Sequence, residues 1–254
     1  MPLPARSRDV TGLPGAPAYD GPMQPGVLGQ ASGPVPGPGL LVPGPLRRRA
    51  VALLAACVAV TVVLGVRFAG YGLPDWLDLT FDPRIQARLA RFPALLNRLA
   101  DVGTLGPVAV MTLALVLACA VARRWLGAAL AVAAVPVATG LTEYVLKPTV
   151  GEAIGQSFPS GHATSMFALA ATCAVLLAGP PGGRVPGGAR LLLALLAIGL
   201  AAAVAVAMVA IGAHAFTDAI GGAAVGTAVV LACALALDLL ASAVGARPRG
   251  PALR

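Results

Sequence analysis

A chain of 254 residues in which 58% are hydrophobic and only 11% are charged does not have the composition of a soluble protein. The formal net charge of +8 would suit a nucleic-acid-binding protein, but the arginines cluster at the ends of apolar runs, where they meet lipid headgroups. These features predict an integral membrane protein and argue against a nucleic-acid partner.

The amino-terminal stretch, residues 1–46, holds 11 of the 23 prolines and shows no hydrophobic periodicity. Such a segment cannot bury enough apolar surface to fold alone, so it is predicted to be a disordered cytoplasmic tail. It lacks an apolar core followed by a cleavage site, so we do not interpret it as a signal peptide. Three arginines at residues 47–49 then precede an apolar run at 50–66, which is long enough to cross a bilayer.

A more polar segment follows, and its residues 82–101 predict an outer amphipathic helix. Asp82 followed by Pro83 is typical of a helix start, and Pro93 predicts a break before the helix continues. The apolar and basic side chains would lie on opposite faces, with Ile85, Leu89 and Phe92 on one and Arg84, Arg88 and Arg91 on the other. Such a helix is expected to lie on lipid headgroups.

Five further apolar runs bring the predicted number of membrane spans to six. They lie at residues 105–122, 125–146, 161–177, 191–212 and 217–244. The positions of the arginines place both termini in the cytoplasm, and the run ends near Lys147, His162 and His214 then share the outer face. The predicted fold is an all-α bundle of six transmembrane helices over residues 47–244, followed by a short basic cytoplasmic tail at 245–254.

Small residues in the last span, Gly222 and Gly226, indicate close helix packing, either within the bundle or between the subunits of a homo-oligomer. The four cysteines are distributed one to a run without paired spacing, so they predict neither a disulfide framework nor a metal site. No cofactor is predicted.

One stretch at the mouth of a predicted span, residues 157–164, reads Ser-Phe-Pro-Ser-Gly-His-Ala-Thr. Ser160 can cap the helix that begins near Gly161, and Gly161 lets an oxyanion approach the backbone closely. The free N–H groups of such a helix start favour an anion. His162, one of the two histidines of the chain, stands in the same turn.

The second histidine, His214, stands four residues before Asp218, and the single lysine, Lys147, lies at the end of another apolar run. A carboxylate beside an imidazole orients the ring and leaves the other nitrogen nucleophilic. His162 would protonate a leaving oxygen and later activate water. Lys147 and the backbone amides of residues 160–162 would neutralise a phosphate, so the residues together predict phosphoryl transfer through a phosphohistidine, without a metal.

Each of these residues also has a structural interpretation. His214 and Asp218 would satisfy each other as a polar pair, and Ser160 would serve only as a helix cap. Lys147 would anchor the outer interface, paired with Glu143 four residues earlier on the same helix face.

The spacing of these residues resembles that of the type 2 phosphatidic acid phosphatase and vanadium haloperoxidase superfamily. The motifs of this superfamily are Lys-x6-Arg-Pro, Pro-Ser-Gly-His and Ser-Arg-x5-His-x3-Asp. The second motif is complete at residues 159–162, the third keeps His214 and Asp218, and the first keeps Lys147. The resemblance covers about residues 50–240 and implies the membrane branch of the family, multi-pass lipid phosphatases of the cell membrane.

The resemblance implies a metal-independent hydrolase for a lipid phosphomonoester or pyrophosphate, of the phosphatidate or polyprenyl type, that acts through a phosphohistidine. The implied catalytic residues are His214, His162 and Asp218. The implied phosphate-binding residues are Lys147, Ser160 and Gly161.

Both arginines of the family motifs are missing from this chain. Ile154 and Gly155 stand where the family has Arg-Pro, and Ala207 and Met208 stand where it has Ser-Arg. The substrate's own counter-ion would be one replacement, and the outer arginines would be another, namely Arg84, Arg88 or Arg91. The alternative interpretation is a catalytically silent relative that binds anionic lipid or acts as a membrane scaffold. A transporter is not indicated, because the titratable residues cluster at one face.

Overall fold

The computed structural model of the protein describes residues 40–69, 75–150, 152–153, 156–179 and 185–245. Its helices are α1 (Gly44–Phe68), α2 (Trp76–Leu89), α3 (Pro93–Val102), α4 (Leu105–Val121), α5 (Trp125–Leu141), α6 (Lys147–Val150), α7 (Gly161–Ala178), α8 (Gly187–Ala210) and α9 (Phe216–Gly245). A π-helical turn, Thr142–Leu146, joins α5 to α6 without a break. Two very short antiparallel strands, β1 (Glu152–Ala153) and β2 (Gln156–Ser157), bring the chain back to the start of α7.

The all-α prediction is confirmed, and each of the six predicted apolar runs corresponds to a helix. Five of the described helical segments are long and apolar enough to cross a membrane, namely α1, the continuous stretch from α5 to α6, α7, α8 and α9. The helix α4 has 17 residues, and it reaches spanning length only together with α3, from which it is bent by 53°. The described helices therefore provide five membrane spans, or six if the bent pair counts as one.

The predicted amino-terminal tail ends earlier than residue 46. Residues 1–39 lie outside the described residues, but Leu41 and Val42 are buried in the core and α1 begins at Gly44. Asp238, near the end of α9, is fully buried, and its two carboxylate oxygens accept the backbone N–H groups of Leu41 at 2.7 Å and Val42 at 2.9 Å. Asp238 is therefore a buried anchor for the chain before α1, because two peptide N–H groups satisfy its oxygens.

The centre of the bundle is α7, whose buried face packs against α5, α8 and α9. Gly222 and Gly226 lie on the side of α9 that meets α7. A Cβ at Gly222 would stand 2.8 Å from the Cβ of Ala163, and a Cβ at Gly226 would stand 2.8 Å from the backbone nitrogen of Ala168. Both glycines are buried in this contact, so they serve packing within the bundle and have no exposed surface to offer to a second copy.

The outer segment differs from its prediction in where its helix begins. The first helix starts at Trp76, because the side chain of Asp75 accepts the N–H of Leu77 and the side chain of Asp78 accepts the N–H of Asp75, as in a capping box. Pro83 therefore lies inside α2 and does not mark a helix start. The expected break is confirmed, since α2 ends at Leu89 and α3 starts at Pro93.

An ion pair ties the start of α2 to the end of α1. Arg67 Nε lies 2.9 Å from Asp75 Oδ2, and this guanidinium, together with the N–H groups at the helix start, holds the pKa of the Asp75 carboxyl below its usual range. Because the arginine is largely exposed, the pair contributes less to stability than its short distance suggests.

Candidate active site

Three helix ends that are far apart in sequence meet at one place. They are the π-helical turn with the adjoining Lys147 at the start of α6, the start of α7 with Ser160–His162, and the loop with His214 that leads into α9. The backbone N–H of Ser160 donates to the carbonyl of Asp218 at 3.1 Å, which joins the second and third ends directly. The structure therefore brings together all six residues selected from the sequence.

The start of α7 has the predicted form. Ser160 is fully buried, and its hydroxyl accepts the N–H of Ala163 at 3.4 Å, so α7 begins at Gly161 as expected. His162 is the second residue of α7 and directly follows Gly161. Gly103, at the bend between α3 and α4, faces this ring, since a Cβ at that position would stand 2.9 Å from His162 Cδ2.

A chain of buried hydroxyl groups holds the π-helical turn against α7. Thr142 donates to the hydroxyl of Thr164 at 3.1 Å, and Thr164 donates to the carbonyl of Ser160 at 3.0 Å. Both threonines are fully buried. This contact fixes the π-helical turn and so sets the position of the two charged residues that follow Thr142. Such turns often occur at functional sites.

These two residues are Glu143 and Lys147, and their carboxylate and ammonium groups form an ion pair. Lys147 Nζ donates to Glu143 Oε1 at 2.7 Å and to Oε2 at 2.8 Å. The pair lies directly on Gly161, because a Cβ on that glycine would overlap the Glu143 carboxylate and would stand 3.5 Å from Lys147 Nζ. The start of α7, predicted to bind an anion, thus already has a carboxylate beside it.

The turn between α8 and α9 presents His214 to the site. Gly212 has a φ of 73°, a left-handed conformation that glycine adopts without strain, and it ends α8. The N–H groups of Ala213 and His214 then donate back to the carbonyl of Met208, at 3.0 and 3.3 Å. These hydrogen bonds hold the backbone of His214 in place.

His214 and Asp218 form the predicted pair, with Nδ1 3.4 Å from Oδ2. Within the described part of the chain Nδ1 is buried without a hydrogen-bond partner, while Asp218 Oδ2 accepts the N–H of Ala215 at 3.1 Å. A catalytic hydrogen bond is often long before substrate binds and shortens in the complex. The arrangement directs Nδ1 to the carboxylate and leaves Nε2 for a substrate.

Two carboxylates of α2 hold the start of α9, and the sequence analysis missed both roles. Asp78 is buried and accepts the N–H and the hydroxyl of Thr217, both at 2.8 Å. Asp82 accepts the N–H of Phe216 at 3.0 Å. The first free N–H groups of α9 are thus satisfied by side chains from more than a hundred residues earlier, and negative charge is favourable at a helix start.

Among the described residues, the outer arginines form no hydrogen bond or ion pair with the residues of the candidate site. Arg84, Arg88 and Arg91 are all exposed, and Arg91 stacks over Phe92, 4.8 Å from the ring centroid. On the α8 side, the positions of the Ser-Arg motif are occupied by the buried Ala207 and Met208. On the Lys147 side, Ile154 and Gly155 lie outside the described residues.

One signal in the sequence identifies the missed face of α2. Asp78, Asp82 and Gln86 are spaced four residues apart, which places them on one side of a helix. Gln86 completes the row by donating to the carbonyl of Val209 at 3.3 Å. No sequence signal distinguishes Gly103, whose contact with His162 depends on the bend between two helices.

The described residues contain no group of three or more histidine, cysteine, aspartate or glutamate side chains arranged to hold a metal ion. The chemistry that the arrangement itself supports is that of two imidazoles, one ammonium group and the N–H groups of a helix start.

Burial raises the pKa of the Asp82 carboxyl to about 6, and the neighbouring charges of Asp78 and Asp218 add to the shift, against the hydrogen bond from Phe216. An unfolded aspartate titrates near pH 4. Between about pH 4 and pH 6 the folded protein therefore holds a proton that the unfolded chain has lost, and its free energy of unfolding falls as the pH rises. Above this window the charged carboxylate is a constant cost.

We expect the free energy of unfolding of Asp82→Asn, compared with that of the native protein, to be higher at pH 7 than at pH 4. The asparagine oxygen still accepts the N–H of Phe216, whereas the charge is gone. Melting temperatures of both proteins in detergent across this pH range measure the difference. Asp101→Asn, which removes an exposed acid of α3, is the matched control and should show no such trend. A constant difference between Asp82→Asn and the native protein would contradict the prediction.

Comparison with known proteins gives one match. Residues 129–240 match the model of the PAP2 superfamily. This range runs from α5 into α9 and includes Lys147, Ser160–His162, His214 and Asp218, whereas α2 lies outside it. No curated protein and no solved structure matches this chain.

Proposed function

We propose that this chain, whose residues 129–240 match the PAP2 superfamily, is an integral membrane phosphatase of that superfamily that removes a phosphate group from a lipid. The observation that supports this proposal is the convergence of His162, His214 with Asp218, and Lys147 around the start of α7. Phosphatase-type activity is what the superfamily suggests, and the lipid substrate and the phosphohistidine are our inference.

In the proposed first step, His214 Nε2 attacks phosphorus and the bond between phosphorus and the lipid oxygen breaks. Asp218 stabilises the positive charge that develops on the ring, because its carboxylate lies beside Nδ1. His162 gives its proton to the leaving oxygen, so the lipid departs as an alcohol or, from a pyrophosphate, as a monophosphate.

In the second step, water attacks the phosphohistidine while His162, now neutral, accepts a proton from it. The bond between phosphorus and nitrogen breaks, inorganic phosphate leaves, and His214 is restored. Lys147 and the backbone around Ser160 and Gly161 balance the charge of the phosphate in both steps. None of these steps needs a metal ion.

The proposed membrane arrangement places both termini in the cytoplasm and the site at the outer face. It is supported by the distribution of arginines, most of which lie at the opposite ends of the apolar runs from the site. A phosphatidate or a polyprenyl phosphate would keep its chain in the bilayer while its phosphate reaches the start of α7.

A second candidate function is a catalytically silent relative that serves as a membrane scaffold. One observation favours it: among the described residues, Glu143, Asp78, Asp82 and Asp218 surround the site and no arginine contacts it. Negative charge weakens the binding of phosphate, and each lost charge-assisted contact costs about 1.5 to 3 kcal/mol.

Phosphate release from purified protein in detergent tests the proposal. The substrates are phosphatidate, a polyprenyl phosphate and a polyprenyl pyrophosphate, offered with a metal chelator present. A parallel preparation from host cells that lack the chain measures contaminating phosphatases. We expect release above this background from at least one lipid, unaffected by chelator. Release that equals the background for every lipid would support the silent relative.

A further inference from the structure

The anion position at the start of α7 is occupied by the protein itself. The Glu143 carboxylate lies against Gly161, and both of its oxygens accept hydrogen bonds from Lys147. These are the partners that a phosphate would take in the proposed reaction. A carboxylate and a phosphate both present anionic oxygens that accept hydrogen bonds from the same donors. The Glu143 carboxylate and a bound phosphate would therefore compete for this position.

Resting on the proposed function, we propose that Glu143 determines which phosphate groups enter the site. The Glu143 carboxylate must leave Lys147 before a substrate binds. The dianionic end of a phosphomonoester or pyrophosphate displaces it, whereas a monoanionic phosphodiester does not.

The charges explain this selection. Lys147 is the single lysine of the chain, and the described part of the site contains no arginine that would bind a second anion. A phosphodiester carries the same single charge as the carboxylate, which is tethered and therefore competes at a high effective concentration. A terminal phosphate carries nearly two charges and attracts the ammonium group more strongly.

The surroundings of Glu143 allow it to move and to return. Its side chain is 38% exposed, so the displaced carboxylate has access to water. The backbone beside it is held, because the buried hydroxyl of Thr142 donates to Thr164 on α7. The carboxylate therefore leaves by rotation of its own side chain and finds Lys147 again when the ligand departs.

Binding of two small probes to the full-length protein tests the inference without any turnover of lipid. The probes are inorganic phosphate at mildly alkaline pH, mainly a dianion, and dimethyl phosphate, a monoanionic diester, each titrated while phosphorus NMR reports binding. The native protein should bind phosphate and exclude the diester. Glu143→Gln should bind phosphate about tenfold more tightly and should also bind the diester, since one charge-assisted contact to Lys147 is released.

Three further variants complete the test. Glu143→Ala should behave as Glu143→Gln does, Lys147→Ala should lose both probes, and Asp101→Asn, the exposed acid of α3, should match the native protein. An unchanged preference for phosphate over the diester in Glu143→Gln would overturn the inference, as would the absence of binding in every protein.

The outcome is separable from that of the proposed function. If Glu143→Gln admits the diester while no lipid in the panel is hydrolysed, the selection by Glu143 stands and the phosphatase proposal fails. If lipids are hydrolysed and the preference is unchanged, the phosphatase proposal stands and the role of Glu143 is wrong.

Discussion

Replacing His214 with alanine is expected to reduce phosphate release at least about 10⁴-fold, because the variant has no nucleophile and loss of one in other hydrolases costs this much or more. That ratio corresponds to about 5 kcal/mol in the activation free energy. The fold should tolerate the change, since the His214 side chain has no hydrogen bond through Nδ1 in the described structure. Release at saturating lipid, beside the melting temperature, measures both effects.

Trapping the covalent intermediate gives this prediction a readout that a purely structural role would not produce. Native protein mixed with substrate labelled with radioactive phosphorus and stopped in alkali should carry label that acid removes, as a phosphorus–nitrogen bond does. His214→Ala should carry none. His162→Ala should still be labelled by a substrate with a good leaving group and should lose the label slowly, because water is no longer activated. Equal labelling of His214→Ala and native protein would refute the assignment.

Replacing Asp78 with alanine is expected to lower the free energy of unfolding by about 3 kcal/mol or more. Asp78 accepts hydrogen bonds from both donors of Thr217 and from the N–H of Asp75. Each buried donor that loses its acceptor costs about 1 to 3 kcal/mol. Because Asp78 also fixes the start of α9, where Asp218 lies, we expect phosphate release to fall about 100-fold even where the variant is folded.

Melting temperature and activity separate the two effects of Asp78→Ala. Activity is measured at a temperature well below both melting points, so that loss of folded protein does not contribute. Asp101→Ala removes an exposed acid of α3 and should change neither quantity. Full activity of folded Asp78→Ala would show that α2 supports the fold alone, and an unchanged melting temperature would contradict the hydrogen-bond argument itself.

The residues of the candidate site were accessible from sequence because they are scarce. In a chain of alanine, leucine, valine and glycine, the two histidines and the single lysine stand out wherever they occur. Pro159, Ser160 and Gly161 encode a helix start by purely local chemistry, and α7 begins where that chemistry requires. The membrane spans followed in the same way from the length of each apolar run.

The role of α2 was not accessible by the same means. The sequence showed arginines on one face and apolar residues on the other. This pattern is compatible with a helix that lies on the membrane surface and also with one that covers the site. The side of α2 that meets α9 carries Asp78 and Asp82. Which side of α2 packs there depends on the free N–H groups at the start of α9, and these exist only once α9 has formed.

Sequence alone determined that this is a membrane protein of helices, where most of those helices lie, and which few polar residues gather at their ends. Each of these conclusions depends on composition or on neighbours within a few residues. Tertiary structure decided that the Glu143 carboxylate lies against Gly161, that Gly222 and Gly226 face α7, and that Asp238 is a buried anchor. Within a membrane bundle every face of a helix is apolar, so hydrophobic periodicity does not reveal which face meets a neighbour, and only the packed structure does.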